Sequence, residues 1–361
     1  MRVQRRLAAA VSASALVLLA TGCSGTFANE KATTADKPAP AALAKPLSMV
    51  STPKSAVWTD TGEAKHQLRI APTRLARGAE SDMAHIQLDD DLKGMVPYYL
   101  TFSFTNTGKE TMSDADPTRN LSVNTVDGQA GHGVSLFQSN PLATGSGLPA
   151  ECREAGKAKL AAGDTTAICQ IFMLPKGQQP ATVSYRDDGS DTLIWQVDGA
   201  KAGGTGVLPA DKAADAPTRD STSHAVTVHI TPKSVRPGSV ADLSHFDLDA
   251  DEKKLTPYYV TMEYRNTGKY DLLPDLNENV LVRTAGGQES KRMILLNIGG
   301  PGVSQCPDAV PNDMLKPGAK VTSCSIHMIA KGDRPASVVF QGKGSSQPVI
   351  WSATAAADGE K

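Results

Sequence analysis

Apolar and polar side chains alternate along residues 98–105, and the apolar ones occupy every second position. One face holds Tyr98, Leu100, Phe102 and Phe104, and the other holds Tyr99, Thr101, Ser103 and Thr105. A period of two with one apolar face is typical of a half-buried β-strand. The strand is followed by Asn106-Thr107-Gly108-Lys109, whose Asn and Gly tolerate the backbone angles of a turn. The pattern therefore predicts a strand that ends at this turn.

The same pattern recurs with an offset of 160, because residues 70–109 match residues 230–269 without a gap. The second strand has Tyr258, Val260, Met262 and Tyr264 on its apolar face, and Asn266-Thr267-Gly268-Lys269 follows it. Later stretches also agree: residues 167–173 alternate like residues 322–328, and each stretch precedes a Lys-Gly turn. After residue 22, no long stretch of the chain shows the apolar spacing of a helix. Short strands separated by Gly and Pro predict an all-β fold of two tandem immunoglobulin-like β-sandwich modules.

Composition divides the chain into six predicted segments. Residues 23–55 and 199–223 are rich in small and polar residues, which is typical of a tether and of a flexible linker. The predicted order is a lipoprotein signal peptide (1–22), a disordered tether (23–55), module 1 (56–198), a linker (199–223), module 2 (224–353) and a tail (354–361).

The N-terminus has the features of an export signal. Arg2, Arg5 and Arg6 precede an apolar run, residues 7–20, that is shorter than a membrane span. The run ends at Ala20-Thr21-Gly22-Cys23, which resembles the bacterial lipobox, although Leu is commoner than Ala at the first position. The alternative is an ordinary signal peptide with a chance cysteine. We expect lipidation of Cys23 and a location on the extracytoplasmic face of the cell membrane, with export by the general route rather than the twin-arginine route.

Four further cysteines are predicted to form one disulfide bond in each module. Cys152 corresponds to Cys306 and Cys169 to Cys324, so each copy most simply closes its own bridge, in an oxidising compartment. A four-thiolate metal site is the alternative, but the chain has no C-x-x-C spacing to support it.

These motifs together give a family resemblance. The Tyr-Tyr strand with its Asn-Thr-Gly-Lys turn, the later Leu-x-x-Gly before an alternating strand and the closing Lys-Gly turn resemble the immunoglobulin-like extracellular modules of Gram-positive lipoproteins. That family is mostly of unknown function and includes a secreted immunoprotective antigen of actinobacteria. The resemblance implies a sandwich fold and an envelope location, and it implies no reaction.

Two repeated polar features are candidate sites. The first is a set of histidine and carboxylate side chains before the long strand of each copy, which offers ligands for a divalent cation. Its members are His85, Asp89 and Asp91 in module 1 and His245, Asp247, Asp249 and Asp251 in module 2. The second is Tyr99 and Tyr259, which fall on the outward face, where an exposed aromatic residue can contact a partner. The plainer interpretations are a solvated acidic loop and a tyrosine covered by a neighbouring loop.

Motifs for catalysis and for nucleic-acid binding are missing. The chain has neither G-x-S-x-G nor H-E-x-x-H, and its net charge of −1 is spread evenly. The leading hypothesis is therefore a non-enzymatic, cofactor-free envelope lipoprotein that binds a protein or a cell-wall ligand. The alternative is a metal-binding or metal-delivery lipoprotein that uses the histidine and aspartate clusters. A hydrolase acting on envelope polymers is the third and weakest hypothesis.

Overall fold

The computed structural model of the chain describes residues 45–84, 86, 88–113, 116–134, 152, 159–188, 191–199, 206–294, 302–307, 313–345 and 348–353. The predicted signal peptide, the predicted lipidation site Cys23, most of the tether and the tail lie outside the described residues. Pro40–Lys361 form one compact unit, which contains both predicted modules.

The described residues form β-strands and short 3-10 helices of three or four residues, which confirms the predicted all-β class. None of the described helices is long and apolar enough to cross a membrane.

The described residues of module 1 form ten strands in two main antiparallel sheets. They are β1 (Lys54–Thr59), β2 (Lys65–Arg77), β3 (Val96–Asn106), β4 (Met112–Ser113), β5 (Leu121–Thr125), β6 (His132–Val134), β7 (Lys159–Leu160), β8 (Thr165–Leu174), β9 (Pro180–Arg186) and β10 (Thr192–Gln196). One sheet has the order β1-β2-β3-β8-β6 and the other β10-β9-β5, while β4 pairs with β7.

The described residues of module 2 form nine strands on a closely similar plan. They are β11 (Val207–Leu208), β12 (Ala214–Arg219), β13 (Ala225–Pro237), β14 (Thr256–Asn266), β15 (Val280–Thr284), β16 (Glu289–Lys291), β17 (Lys320–Ile329), β18 (Pro335–Phe340) and β19 (Val349–Ser352). The sheets have the orders β12-β13-β14-β17 and β11-β19-β18-β15-β16. The register repeats as well, since β2 and β13 each carry one irregularity after a proline, at Pro72 and Pro232.

Each module has a core between its two sheets. In module 1, Phe102 of β3 meets Trp195 of β10 edge to face, with 5.3 Å between the ring centroids. In module 2, Tyr264 of β14 and Phe340 of β18 lie 6.0 Å apart. The last tryptophan of each module is fully buried, and each donates its indole N–H to a backbone carbonyl. Apolar side chains from both sheets in one cluster define a two-layer sandwich.

Two predicted boundaries were wrong. The proposed linker, residues 199–223, contains β11 and β12, and β12 pairs with β13 from Ala214↔Ile230 to Arg219↔Ala225. Ala216 and Thr218 are buried, so alternate residues of this small-residue segment pack into the core, although its composition is that of a linker. The end of the proposed tether is likewise part of module 1, since Leu47 and Met49 pack against the core.

Candidate functional site

A short segment after β2 covers the outer face of the first sheet in module 1, and a matching segment does so in module 2. Its 3-10 helix is Glu80–Met83 in module 1 and Val240–Leu243 in module 2. The carboxylates of Asp82 and Asp242 accept the backbone N–H at the start of their helices, at 2.9 Å in both modules. The same carboxylates fix the two repeated tyrosines.

Tyr99 and Tyr259 lie beneath these segments. Each phenol donates to the aspartate above it, Tyr99 to Asp82 and Tyr259 to Asp242, at 2.8 Å in both modules. Tyr99 is 6% exposed and Tyr259 is 1% exposed. Burial, with the neighbouring aspartate as a smaller cause, raises the pKa of both phenols well above the usual value. The expected exposure of these tyrosines was therefore wrong, and the plainer interpretation, a tyrosine covered by a neighbouring loop, describes both modules.

The cover forms a second apolar cluster in each module, and the disulfide bond belongs to it. Cys152 pairs with Cys169 and Cys306 with Cys324, with Cα–Cα separations of 4.8 and 5.3 Å, which confirms the predicted pairing. The clusters also contain Met83, Leu92, Ile171 and Met173 in module 1 and Leu243, Leu248, Val303 and Ile326 in module 2. Each bridge therefore ties its first cysteine to the strand that carries the second.

The predicted cation ligands whose positions the structure describes do not come together as a site. His85 lies outside the described residues, and Asp89 and Asp91 are exposed. In module 2, His245 and Asp247 are exposed as well. One Asp249 oxygen accepts the backbone N–H of Asp251, at 2.8 Å, and of Glu252, while Asp251 pairs with Lys254. Among the residues with described positions, no three His, Cys, Asp or Glu side chains form a group that could hold a metal ion. The described carboxylates cap local backbone or face solvent.

The two modules contact each other through buried polar side chains, a feature that the sequence did not reveal. Thr182 of β9 donates to the carbonyl of Ala285 at 2.5 Å, and Ser184 donates to the carbonyl of Gly286 at 2.8 Å. In the opposite direction, Ser337 of β18 donates to the carbonyl of Asp127 at 2.5 Å. The three hydroxyl-bearing residues are at most 4% exposed. Paired hydroxyls and carbonyls therefore fill this contact, which we call the module interface.

Two equivalent turns form the module interface: Thr125–Gln129 after β5 and Thr284–Gln288 after β15. Each turn lies against the other module. A Cβ atom at Gly128 would come within 2.5 Å of the Thr284 carbonyl, and one at Gly287 within 2.0 Å of Asn124. Both glycines also have positive φ, +76° and +80°, which side-chain-bearing residues rarely adopt. The contacts are thus reciprocal, as in an interface between two copies related by an approximate two-fold axis.

Charged groups add to the module interface. Arg283 of module 2 forms an ion pair with Asp127 of module 1 at 3.2 Å, and both side chains are largely buried. Asp333 accepts bonds from the Thr284 hydroxyl at 2.6 Å and from the Gly286 backbone at 2.9 Å. Burial raises the pKa of Asp333, while these hydrogen bonds act against that rise. These contacts fix the turn of module 2 that meets module 1.

Module 2 also has a buried serine–histidine pair, which sequence reasoning missed because the equivalent positions of module 1 hold other residue types. His327 of β17 is fully buried, with Nε2 3.0 Å from the Ser325 hydroxyl and Nδ1 3.0 Å from the Ser290 carbonyl. The carbonyl only accepts, so Nδ1 carries the proton and Nε2 accepts from Ser325. Burial lowers the pKa of His327 to about 4, and the nearby Arg292 adds to the effect. A pair this buried is a poor arrangement for attack on a substrate.

The sequence contains one feature that could have indicated the module interface. Thr182 and Ser184 alternate with Val183 and Tyr185, so one face of β9 carries small hydroxyls. Such a face ordinarily meets solvent, and only its low exposure in the folded chain reveals the contact.

Comparisons of the chain with protein-family models, with curated proteins and with solved structures gave no match.

Proposed function

We propose that this chain is a non-enzymatic lipoprotein of the cell envelope whose two immunoglobulin-like modules act as one rigid body that binds a protein or cell-wall ligand. The observation that supports it best is the module interface, because it fixes the relative position of the two sandwiches. Two modules held in one relative position can both contact one extended ligand. Binding then avoids the loss of conformational entropy that would accompany the ordering of two flexibly joined modules.

The proposed location depends on the N-terminal sequence. A lipobox-like Ala20-Thr21-Gly22-Cys23 after an apolar run supports acylation at Cys23. Two disulfide bonds fit an oxidising compartment outside the cytoplasm. The chain would then be held at the extracytoplasmic face of the membrane, within reach of wall polymers and other envelope proteins.

Binding is tested with the secreted, non-acylated Cys23→Ala chain on isolated cell-wall sacculi, with and without prior protease treatment of the sacculi. We expect saturable binding. Loss after protease treatment identifies a wall-associated protein as the ligand, and retention identifies the wall polymer. The matched variant is Arg283→Ala, which breaks the ion pair to Asp127 at the module interface and the ion pair to Glu289 at the surface. Absence of saturable binding to either preparation contradicts the proposal.

The lipid anchor is tested separately. Metabolic labelling with palmitate should tag the wild-type chain and leave Cys23→Ala unlabelled. Labelling that persists in the variant would contradict acylation at this residue.

A further inference from the structure

The edge of β17 in module 2 is covered by residues 289–293, which we call the strap. Its first three residues are β16, which also pairs with β15 in the other sheet. The Ser290 hydroxyl donates to the Met328 carbonyl at 3.0 Å, and the Met293 N–H donates to the Ile326 carbonyl at 2.7 Å. Arg292 lies opposite His327 in an isolated bridge. Met293 packs against the apolar cluster that contains Tyr259 and Ile326. The strap therefore closes the edge of that cluster.

The buried side chain of His327 links β17 to the strap by a hydrogen bond. Its Nδ1 proton goes to the carbonyl of Ser290, which belongs to the strap, and its Nε2 accepts from Ser325. A second proton on Nε2 would displace the Ser325 hydrogen. That hydroxyl would then have to turn to the Val260 carbonyl, which lies 3.5 Å away. The imidazolium would also be fully buried and close to the Arg292 guanidinium. The closed strap thus favours neutral His327.

Module 1 has an equivalent strap, which carries no ionisable residue at the position of His327; its one histidine, His132, is exposed. Its strap is β6, where Val134 pairs with Ile171 and Gly133 with Phe172. The equivalent of His327 is Phe172, and the equivalent of Ser325 is Gln170, whose amide donates to the Val134 carbonyl at 3.2 Å. Neither side chain titrates. The two copies therefore hold equivalent straps with chemically different groups.

We propose that His327 is an acid-sensitive latch that releases the strap of module 2 and exposes the Met293–Ile326 cluster, while module 1 stays closed. Burial lowers the pKa of His327 to about 4 in the closed state, whereas a solvated imidazole has its ordinary value of about 6.5. The open state therefore binds a proton more readily between these values. Closure is strongest above pH 6.5 and weakens as the pH falls toward 4.

Other groups face this site and have to be distinguished from His327. Tyr258 of β14 lies opposite His327 in the register. Arg292 of the strap forms an ion pair with Asp275 at 2.7 Å and lies 3.9 Å from Glu278. Protonation of either carboxylate would also loosen the strap, so each needs its own control.

Amide hydrogen exchange of the purified full chain at pH 7.5 and pH 5, corrected for intrinsic exchange rates, measures opening. Protection of the Met293 amide should fall about thirtyfold at pH 5, the ratio expected for a pKa that changes from 6.5 to 4. The amides of β6 should change less than about twofold. His327→Phe, which installs the residue of module 1, should abolish the acid-dependent fall, and Asp275→Asn and Glu278→Gln should each retain it.

Three outcomes would overturn the latch: no fall in the wild type, an equal fall in His327→Phe, or loss of the fall in Asp275→Asn or Glu278→Gln alone. If His327→Phe does not fold, an NMR titration of the His327 ring in the wild-type chain decides. A ring midpoint near 4 together with Met293 amide protection that falls between pH 6.5 and 4 supports the latch, and a midpoint near 6.5, or protection that stays constant over that range, contradicts it.

Discussion

At the residue scale, the repeated residues mostly fix backbone rather than form a binding surface. Tyr99 and Tyr259 illustrate this, since each fills the space above a glycine. A Cβ atom at Gly78 or at Gly238 would lie 2.4 Å from the tyrosine ring of its own module. The glycine, the tyrosine and the aspartate therefore form one structural unit, and the sequence showed only that all three recur.

Gly238→Ala should destabilise the chain by about 1–3 kcal/mol, because the added methyl group displaces the Tyr259 ring from a packed position. Denaturant unfolding measures the change. Gly133→Ala is the matched control, since its Cβ would be 3.6 Å from the nearest atom, an ordinary contact. Equal stability losses for the two variants would contradict the packing argument.

Tyr259→Phe should cost about 1 kcal/mol, since it removes one partly buried hydrogen bond to Asp242. Asp242 keeps its bond from the Ser239 backbone, so the 3-10 helix should persist. Differential scanning calorimetry measures the loss. An unchanged midpoint would mean that water replaces the phenol without penalty.

At the element scale, the Asn-Thr-Gly-Lys turn does more than end a strand. The Asn266 amide donates to the carbonyls of Tyr270 and Leu315, both at 2.8 Å, and its oxygen accepts the Gly268 N–H. Asn106 makes the equivalent three bonds in module 1. The side chain thus joins the turn to a segment 49 residues later in module 2.

Asn266→Ala should destabilise the chain by about 3 kcal/mol, because two carbonyls lose their donor and the side chain that supplied it was fully buried. Urea denaturation gives the value. Lys269→Ala in the same turn is exposed and should stay within about 0.5 kcal/mol of the wild type. A similar loss in both variants would indicate that the turn itself, not the amide, is sensitive.

Reduction of the two bridges should lower the free energy of unfolding by about 3 kcal/mol each in the chain-entropy model, given sequence separations of 17 and 18. Cys306→Ser/Cys324→Ser isolates the contribution of module 2. Peptide mapping under non-reducing conditions should give Cys152–Cys169 and Cys306–Cys324, and a link between modules would contradict the pairing.

The individual strands show which parts of the fold the sequence could predict and which it could not. Long strands such as β3 and β14 carry a strict apolar alternation, so both their existence and the side chains that face the core could be predicted. β12 was missed because Ala214-Asp215-Ala216-Pro217-Thr218-Arg219 has the composition of a linker, and an edge strand needs only Ala216 and Thr218 to pack. The contacts of Asn124 and Ser337 depend on residues more than a hundred positions away, which no local pattern encodes.

At the scale of the whole molecule, the module interface makes the two sandwiches one body. Arg283→Ala leaves Asp127 buried without its cation, and loss of one partner of a buried pair is expected to cost about 3–5 kcal/mol. Asp127→Ala and the double variant complete a cycle whose coupling energy should exceed about 0.5 kcal/mol. Thermal unfolding of the single variants should separate into two transitions, while the wild type unfolds in one. Additive effects in the cycle would contradict direct coupling.

The reciprocal turns of the module interface also bear on how such a chain arises. A contact in which each half offers the same turn to the same strand is the contact of a symmetric homodimer. Duplication and fusion of a gene for a self-associating single module would produce this arrangement without a new surface. Once both halves are on one polypeptide, a substitution in one half no longer changes the other. Phe172 and His327 at one shared position record that divergence.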